Sequence, residues 1–333
     1  MTAQPGPDGK GEERAARRFL WIALTLAAVM FFAPVPNRDV SARASLIEAS
    51  PARLAIVGPS TVDYTSPCDA DHRDLADMLG EARGAPALDL SEGGQPMGRT
   101  LEYAGLIGAR GAARDIVLPL SFRGLDDLAA PTWREYAYMR WLNPGLDVLR
   151  GADAKSLWAG ANGRLGRQFE AFEFEGLKYP DYWKLLDGWF KREGAAKSCP
   201  EISAIDPAMS RAYHWWTHTM AEPNPRIIEL IADLRADLAR RGRRLHTFLL
   251  PTNLEYIGSM DAAWPAVILR KRDAFVAGFA QHGIPFLDLT ELLPSSEFST
   301  RWCACVHLTD AGRAKVVARL SAFMDASIAA EAR

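Results

Sequence analysis

Arg53-Leu54-Ala55-Ile56-Val57-Gly58-Pro59-Ser60-Thr61 decides the fold, because four consecutive apolar residues run straight into a Gly-Pro stop. A short apolar run without polar alternation is what a strand buried on both faces requires, and such strands belong to parallel sheets covered by helices. The same punctuation recurs downstream. Residues 69 to 83 carry Leu75, Met78, Leu79 and Ala82 at helical spacing, Pro86 to Ser91 reads as a second strand, and Met97 to Arg110 as a second helix. Asp115 to Leu120 is a third strand. The alternation lapses over residues 123 to 223 and resumes with a helix over 226 to 241, which carries Ile227, Ile228, Ile231, Leu234 and Leu238. A fourth strand from Arg244 to Pro251, a helix over 264 to 281, a fifth strand from Ile284 to Leu289 and a last helix from Thr309 to Ala330 follow. Strands alternating with helices predict an α/β fold, a flavodoxin-like three-layer sandwich about a central parallel sheet of about five strands with right-handed crossovers.

Composition narrows the function classes. Across 333 residues, 39 Lys plus Arg stand against 41 Asp plus Glu, a net charge of -2, which removes the polyelectrolyte drive toward nucleic acid. Apolar residues at 48% and charged residues at 24% are ordinary for a folded chain and exclude a wholly disordered one. There is no internal repeat and no Gly-rich phosphate loop, so no organic cofactor is implied.

The N-terminus sets the compartment. Residues 1 to 13 are rich in Gly, Pro and charge and read as a disordered tail. Residues 14 to 36 read as a transmembrane signal anchor: Arg14, Arg17 and Arg18 precede an apolar run from Phe19 to Val35, closed by Pro34 and Pro36. At 1.5 Å per residue the run reaches roughly 26 Å, the short end of a bilayer span. The basic flank favours a cytoplasmic N-terminus and puts the remainder outside the cytoplasm, on a single-pass inner-membrane protein. A cleaved signal peptide is the other reading, but its nearest small-x-small site, Ala42-Arg43-Ala44, lies far downstream of the run. Residues 37 to 52 then read as a linker and 53 to 333 as the folded domain.

Four cysteines suit an exported chain in which disulfides persist. Cys303 and Cys305 are too close in sequence to pair with each other readily, so full oxidation joins Cys68 and Cys199 each to one of them. The other reading keeps some of the four reduced and buried. The insertion over 123 to 223 holds seven of the ten tryptophans, namely Trp133, Trp141, Trp158, Trp183, Trp189, Trp215 and Trp216. Leaving the carboxyl edge of the third strand, it is placed to form a lid or aromatic platform, although an insertion also needs rings for its own core.

Two residues have the placement that chemistry needs. Ser60 sits just past the first strand, where a side chain points from the carboxyl edge into the crevice and nearby amides can donate hydrogen bonds. Its setting is not the Gly-x-Ser-x-Gly elbow, since Val62 occupies the second glycine position. His307 lies in Val306-His307-Leu308-Thr309-Asp310-Ala311-Gly312, just before the last helix, with Thr309 as its expected N-cap. A loop there overhangs the same edge, so a nucleophile and a general base can assemble in space.

With these motifs the sequence resembles the SGNH (GDSL-like) hydrolase superfamily: a serine after the first strand, a glycine in Ser91-Glu92-Gly93-Gly94 after the second, and a late Val-His-Leu-Thr-x-x-Gly. The resemblance spans residues 50 to 330 apart from the insertion. It implies Ser60 as nucleophile, His307 as base, and Gly93 or Gly94 as oxyanion-hole donor beside the serine amide. It further implies acyl-ester chemistry, as O-acyltransferase or esterase, on an extracytoplasmic glycan or envelope polymer, with a membrane-embedded acyl-donor protein as a partner. Two positions depart from the family. Its Asp three residues before the histidine is here Ala304, leaving a backbone carbonyl, Glu297 or Asp63 to orient the base, or a dyad. Its third-strand Gly-x-Asn-Asp is replaced by Leu120-Ser121-Phe122-Arg123, leaving Ser121 or Asn253 as substitute donors. These departures motivate the alternative expectation, a catalytically inactive binding or scaffold protein of the same fold in the cell envelope.

Other clusters receive plainer readings. Cys303, Cys305 and His307 alternate and so face one way if extended, a pattern that also fits zinc, but an oxidising compartment favours disulfides and no metal is expected. His214 and His218 share one helical face without a third ligand, and His72, His246 and His282 read as structural. Arg240, Arg241, Arg243 and Arg244 read as a solvated helix end.

Overall fold

A computed structural model describes residues 17–22, 25, 38–66, 68–92, 95, 97–122, 173–174, 177–178, 211–212, 214–220, 225–299 and 307–331. In chain order the main elements are α1 (Arg38–Ala49), β1 (Leu54–Ile56), α2 (Leu75–Ala82), β2 (Ala87–Asp89), α3 (Met97–Arg110) and β3 (Asp115–Leu120). They continue with α4 (Pro225–Arg240), β4 (Arg244–Leu249), α5 (Leu254–Met260), α6 (Trp264–Gln281), β5 (Phe286–Asp288) and α7 (Asp310–Glu331). The five strands form one all-parallel sheet in the order β2-β1-β3-β4-β5.

Alternation along the strands divides the core in two. Ala55, Val57, Ile116, Leu118, Leu245 and Leu249 face one layer with α1, α3, α4 and α6. Leu54, Ile56, Val117 and Phe248 face the other, against Leu75 and Leu79 of α2 and Val316, Leu320 and Met324 of α7. Side chains of one strand thus feed both faces, which is why these strands are continuously apolar in sequence. On the first face α3 and α4 approach closely: a β-carbon on Gly108 would stand 2.1 Å from Cδ2 of Leu238.

The stretch expected as a linker behaves differently. Residues 38 to 49 form α1, and Val40, Ala44 and Ile47 are buried against the domain. Their i, i+4, i+7 spacing is helical, but the charged residues between them hide it. Residues 17 to 22 are helical with Phe19, Leu20, Trp21 and Ile22 exposed. Among the described residues no helix is long and apolar enough to cross a membrane, and most of the expected anchor lies outside them. Most of the aromatic insertion also lies outside the described residues. Within it are a two-residue antiparallel pairing, Glu173–Phe174 with Leu177–Lys178, and a π-helix over Trp215–Met220.

The amino edge of the sheet carries an ionic cluster. Asp115 accepts from Arg244 Nε at 2.7 Å and lies 2.9 Å from His246 Nε2. Burial alone would raise the Asp115 carboxyl, but the hydrogen bonds from His246 and Arg244 outweigh it and hold the group at about 2. The neighbouring arginines are a solvated helix end only in part: Arg240 and Arg241 are exposed, whereas Arg243 and Arg244 are half-buried. Arg243 donates to the carbonyls of Gly111, Ala112 and Ala113, and Arg240 and Arg241 both bind the buried Asp237. Arginine's fork of donors satisfies several carbonyls at once, a use the sequence pattern does not disclose.

Candidate active site

Strand β1 is held between its neighbours up to the turn that carries Ser60. The Val57 amide donates to Val117 O at 3.1 Å, Leu90 N to Ile56 O at 3.0 Å, and Glu92 N to Gly58 O at 3.1 Å. The chain then turns, with Val62 N donating to Pro59 O at 3.1 Å and Tyr64 N to Ser60 O at 2.8 Å. Ser60 therefore stands at the carboxyl edge. In the order 2-1-3-4-5 the connection after β1 leads to β2 on one side and the connection after β3 leads to β4 on the other, which makes the carboxyl edge between β1 and β3 the topological switch point.

His307 arrives from the far end of the chain on a short antiparallel pairing. Ser299 N donates to His307 O and Thr309 N to Glu297 O, each at 3.0 Å, around a bridge between Phe298 and Leu308. Thr309 caps α7 as expected: its hydroxyl accepts from Gly312 N at 3.2 Å. Gly312 has a steric reason, because a β-carbon there would stand 2.7 Å from the Glu297 carbonyl oxygen. The last helix can begin close beneath the histidine segment only with a glycine at that position.

The two side chains meet. Ser60 Oγ lies 3.2 Å from His307 Nε2, across 247 positions of sequence. His307 is buried and Ser60 half-buried, so the pair is shielded without being sealed. Tyr64, which no motif marks in the sequence, stacks on the imidazole with ring centroids 4.2 Å apart and planes 10° apart. An aromatic residue four positions after the serine was its only signal. Parallel stacking restricts rotation of the imidazole and holds its edge toward the serine hydroxyl.

The acidic groups nearby do other work. Glu297 gives one carboxylate oxygen to Lys315, and its other oxygen has no hydrogen-bond partner, so it is not the orienter of His307. Asp63 lies on the exposed side of the serine turn; partial desolvation first, and then the charges of Asp89, Asp74 and Glu92, push its carboxyl up to about 6.

Of the expected oxyanion-hole donors, Gly93 and Gly94 lie outside the described residues. The residues around them are fixed beside the serine turn. Arg43 donates to Leu90 O at 3.1 Å and to Glu92 at 2.9 Å, and Gln95 N donates to Glu92 O at 3.1 Å. Ser121 is buried just past β3. Asn253 is buried just past β4, and its side-chain oxygen accepts from Tyr256 N at 3.1 Å to cap α5. Its amide nitrogen has no hydrogen-bond partner.

Cys68 is disulfide-bonded. Cys199, Cys303, Cys305 and Ala304 lie outside the described residues. Among the described residues there is no group of three or more His, Cys, Asp or Glu side chains suited to a metal. His214 and His218 are buried with Nδ1 atoms 3.5 Å apart. The buried Lys271 Nζ donates to Thr219 O at 2.7 Å and lies 3.4 Å from His218 O.

No protein-family model matches the chain, and no curated protein matches it.

Proposed function

We infer that the chain is a serine-dependent acyl-ester enzyme of SGNH type, an O-acyltransferase or esterase, on a flavodoxin-like three-layer sandwich held at the outer face of a membrane by residues 14 to 36. The observation that carries this reading is the 3.2 Å contact between Ser60 Oγ and His307 Nε2 at the switch point of the sheet. In the proposed reaction His307 Nε2 takes the hydroxyl proton as Ser60 Oγ attacks the acyl carbonyl, and the imidazolium returns that proton to the departing alcohol. The acyl-serine then passes its acyl group to a second hydroxyl or to water. Amides of the Ser60 turn and the Gly93-Gly94 loop supply the expected oxyanion donors, with the unsatisfied amide of Asn253 as a further one. A glycan of the envelope is the expected acceptor, with the aromatic insertion against it, and a membrane-embedded protein is the expected acyl donor. The exposed run Phe19 to Ile22 supports the anchor.

A fluorophosphonate probe tests the reading. Native protein is expected to carry one phosphonyl adduct on Ser60 by mass spectrometry, with labelling lost in Ser60→Ala and reduced at least about a thousandfold in His307→Ala. Absence of labelling in folded protein supports the second reading, a silent envelope protein of the same fold, which Ala304 in the family's aspartate position favours.

A further inference from the structure

Two stretches distant in sequence are joined by one buried ion pair close to the serine and the histidine. Arg313, in the first turn of α7, is fully buried, and Asp69 is nearly so. Arg313 Nη1 donates to Asp69 Oδ2 at 2.7 Å and to Leu308 O at 3.0 Å, while Nη2 donates to Asp71 O at 2.6 Å. Asp69 Oδ2 also accepts from Ser66 N at 3.0 Å, and Asp310 Oδ2 accepts from Asp71 N at 3.3 Å. Ser66, Asp69 and Asp71 are thereby fixed against residues 308 to 313.

These contacts close a ring around the candidate site. Leu308, whose carbonyl Arg313 holds, directly follows His307, whose own carbonyl is held from the other side by Ser299. Residues 66 to 71 follow Tyr64, which stacks on the His307 ring and bonds back to Ser60 O through its amide. The path from Ser60 through Tyr64, Asp69, Arg313 and Leu308 to His307 returns to Ser60 through the 3.2 Å contact. Side chains in a helix lean toward its N-terminus, which lets an arginine on the first turn of α7 reach back under the histidine segment. A lysine could not serve equally, because the three acceptors are met from two separate nitrogens of a planar fork, whereas an ammonium donates from a single point.

The geometry points to Arg313, with Asp69, as a positioning residue that holds the His307 imidazole against the Ser60 hydroxyl by clamping the loop after the nucleophile to the segment bearing the base. The clamp rests on the serine reading for its catalytic meaning but not for its existence, and the test separates the two. A buried ion pair can often be exchanged for apolar side chains without loss of fold, whereas removing one partner strands a charge. The variant is therefore the pair Asp69→Leu with Arg313→Met in the full chain; Arg313→Lys is the second variant, keeping the charge while losing the fork.

The deciding readout is the His307 ring signals in NMR, recorded with and without Ser60→Ala. In the native background Ser60→Ala is expected to move those signals, because the contact exists. In either clamp variant the same substitution is expected to leave them unmoved, because the contact has been lost. In parallel, fluorophosphonate labelling of Ser60 is expected to slow roughly a hundredfold, the cost of misplacing a reacting group by about an ångström, with a displaced pH midpoint. The inference is overturned if a folded clamp variant responds to Ser60→Ala as the native chain does, or if the native signals ignore Ser60→Ala. Failure of native protein to label at all sinks the acyl-ester reading alone, and the ring signals still decide the clamp.

Discussion

A β-carbon on Gly58 would stand 2.4 Å from Cγ of Pro119, and the proline ring cannot swing aside. The end of β1 lies nearer to β3 than any side chain allows, two residues before Ser60. Gly58→Ala must therefore push the serine turn away from the sheet. A loss of about 1 to 3 kcal/mol in denaturant unfolding is expected, as for other overpacked sites, together with slower labelling of Ser60. An alanine variant of native stability and native labelling rate would contradict this packing.

Tyr64 gives a separate handle on the base. Aromatic stacking contributes about 0.5 to 1.5 kcal/mol beyond area burial, so Tyr64→Leu is expected to slow Ser60 labelling by roughly threefold to tenfold, and Tyr64→Phe to leave it nearly native. If phenylalanine and leucine behave alike, the ring is not what holds the imidazole at its 10° stacking angle.

The Asp115 carboxyl, held at about 2 against an ordinary 3.8, contributes stability that is present above the unfolded value and is lost as pH falls through that interval. Asp115→Asn is expected to lower stability at pH 7 by on the order of 2 kcal/mol and to make little difference near pH 2. Urea unfolding at the two pH values reads this directly. A pH-independent difference would place the effect in packing rather than charge.

Asp63 runs the opposite way. Its carboxyl is raised from 3.8 to about 6, so its ionisation weakens the fold as pH climbs through that interval. Asp63→Asn is expected to melt with the native chain below pH 3.8 and above it at pH 7. Coincident melting curves at neutral pH would show that neither partial desolvation nor the charges of Asp89, Asp74 and Glu92 disfavour the ionised carboxyl in the fold.

The strands were legible because burial on both faces leaves a mark that needs no partner: Leu54 to Ile56 and Asp115 to Leu120 are nearly unbroken apolar runs between polar stops. Their order in the sheet was not legible, since it depends on pairings between stretches far apart in sequence. Ser60 and His307 were readable from position, one just past β1 and one just before α7. Arg313 was not, since an arginine between Gly312 and Ala314 reads as an exposed helix residue until Asp69, 244 positions away, comes to meet it. Helix α1 escaped for a similar reason. Val40, Ala44 and Ile47 are widely spaced among charges, and only the face of α3 that they cover makes them a core stripe. Asn253 was read as a donor from its place after β4, and its oxygen proves to be engaged in capping, a role that Asn shares with many turn residues.

Two histidines of the fold have different companions: Asp115, at the amino edge of the sheet, for His246, and a hydroxyl at the carboxyl edge for His307. Substitutions at the first site should change how long the protein survives heat and acid while leaving the labelling of Ser60 alone. Those at the second should, on the serine reading proposed above, abolish labelling of Ser60 in a chain that still melts normally. Durability and reactivity would then be free to drift apart under selection, since the groups responsible for each belong to opposite edges of the sheet.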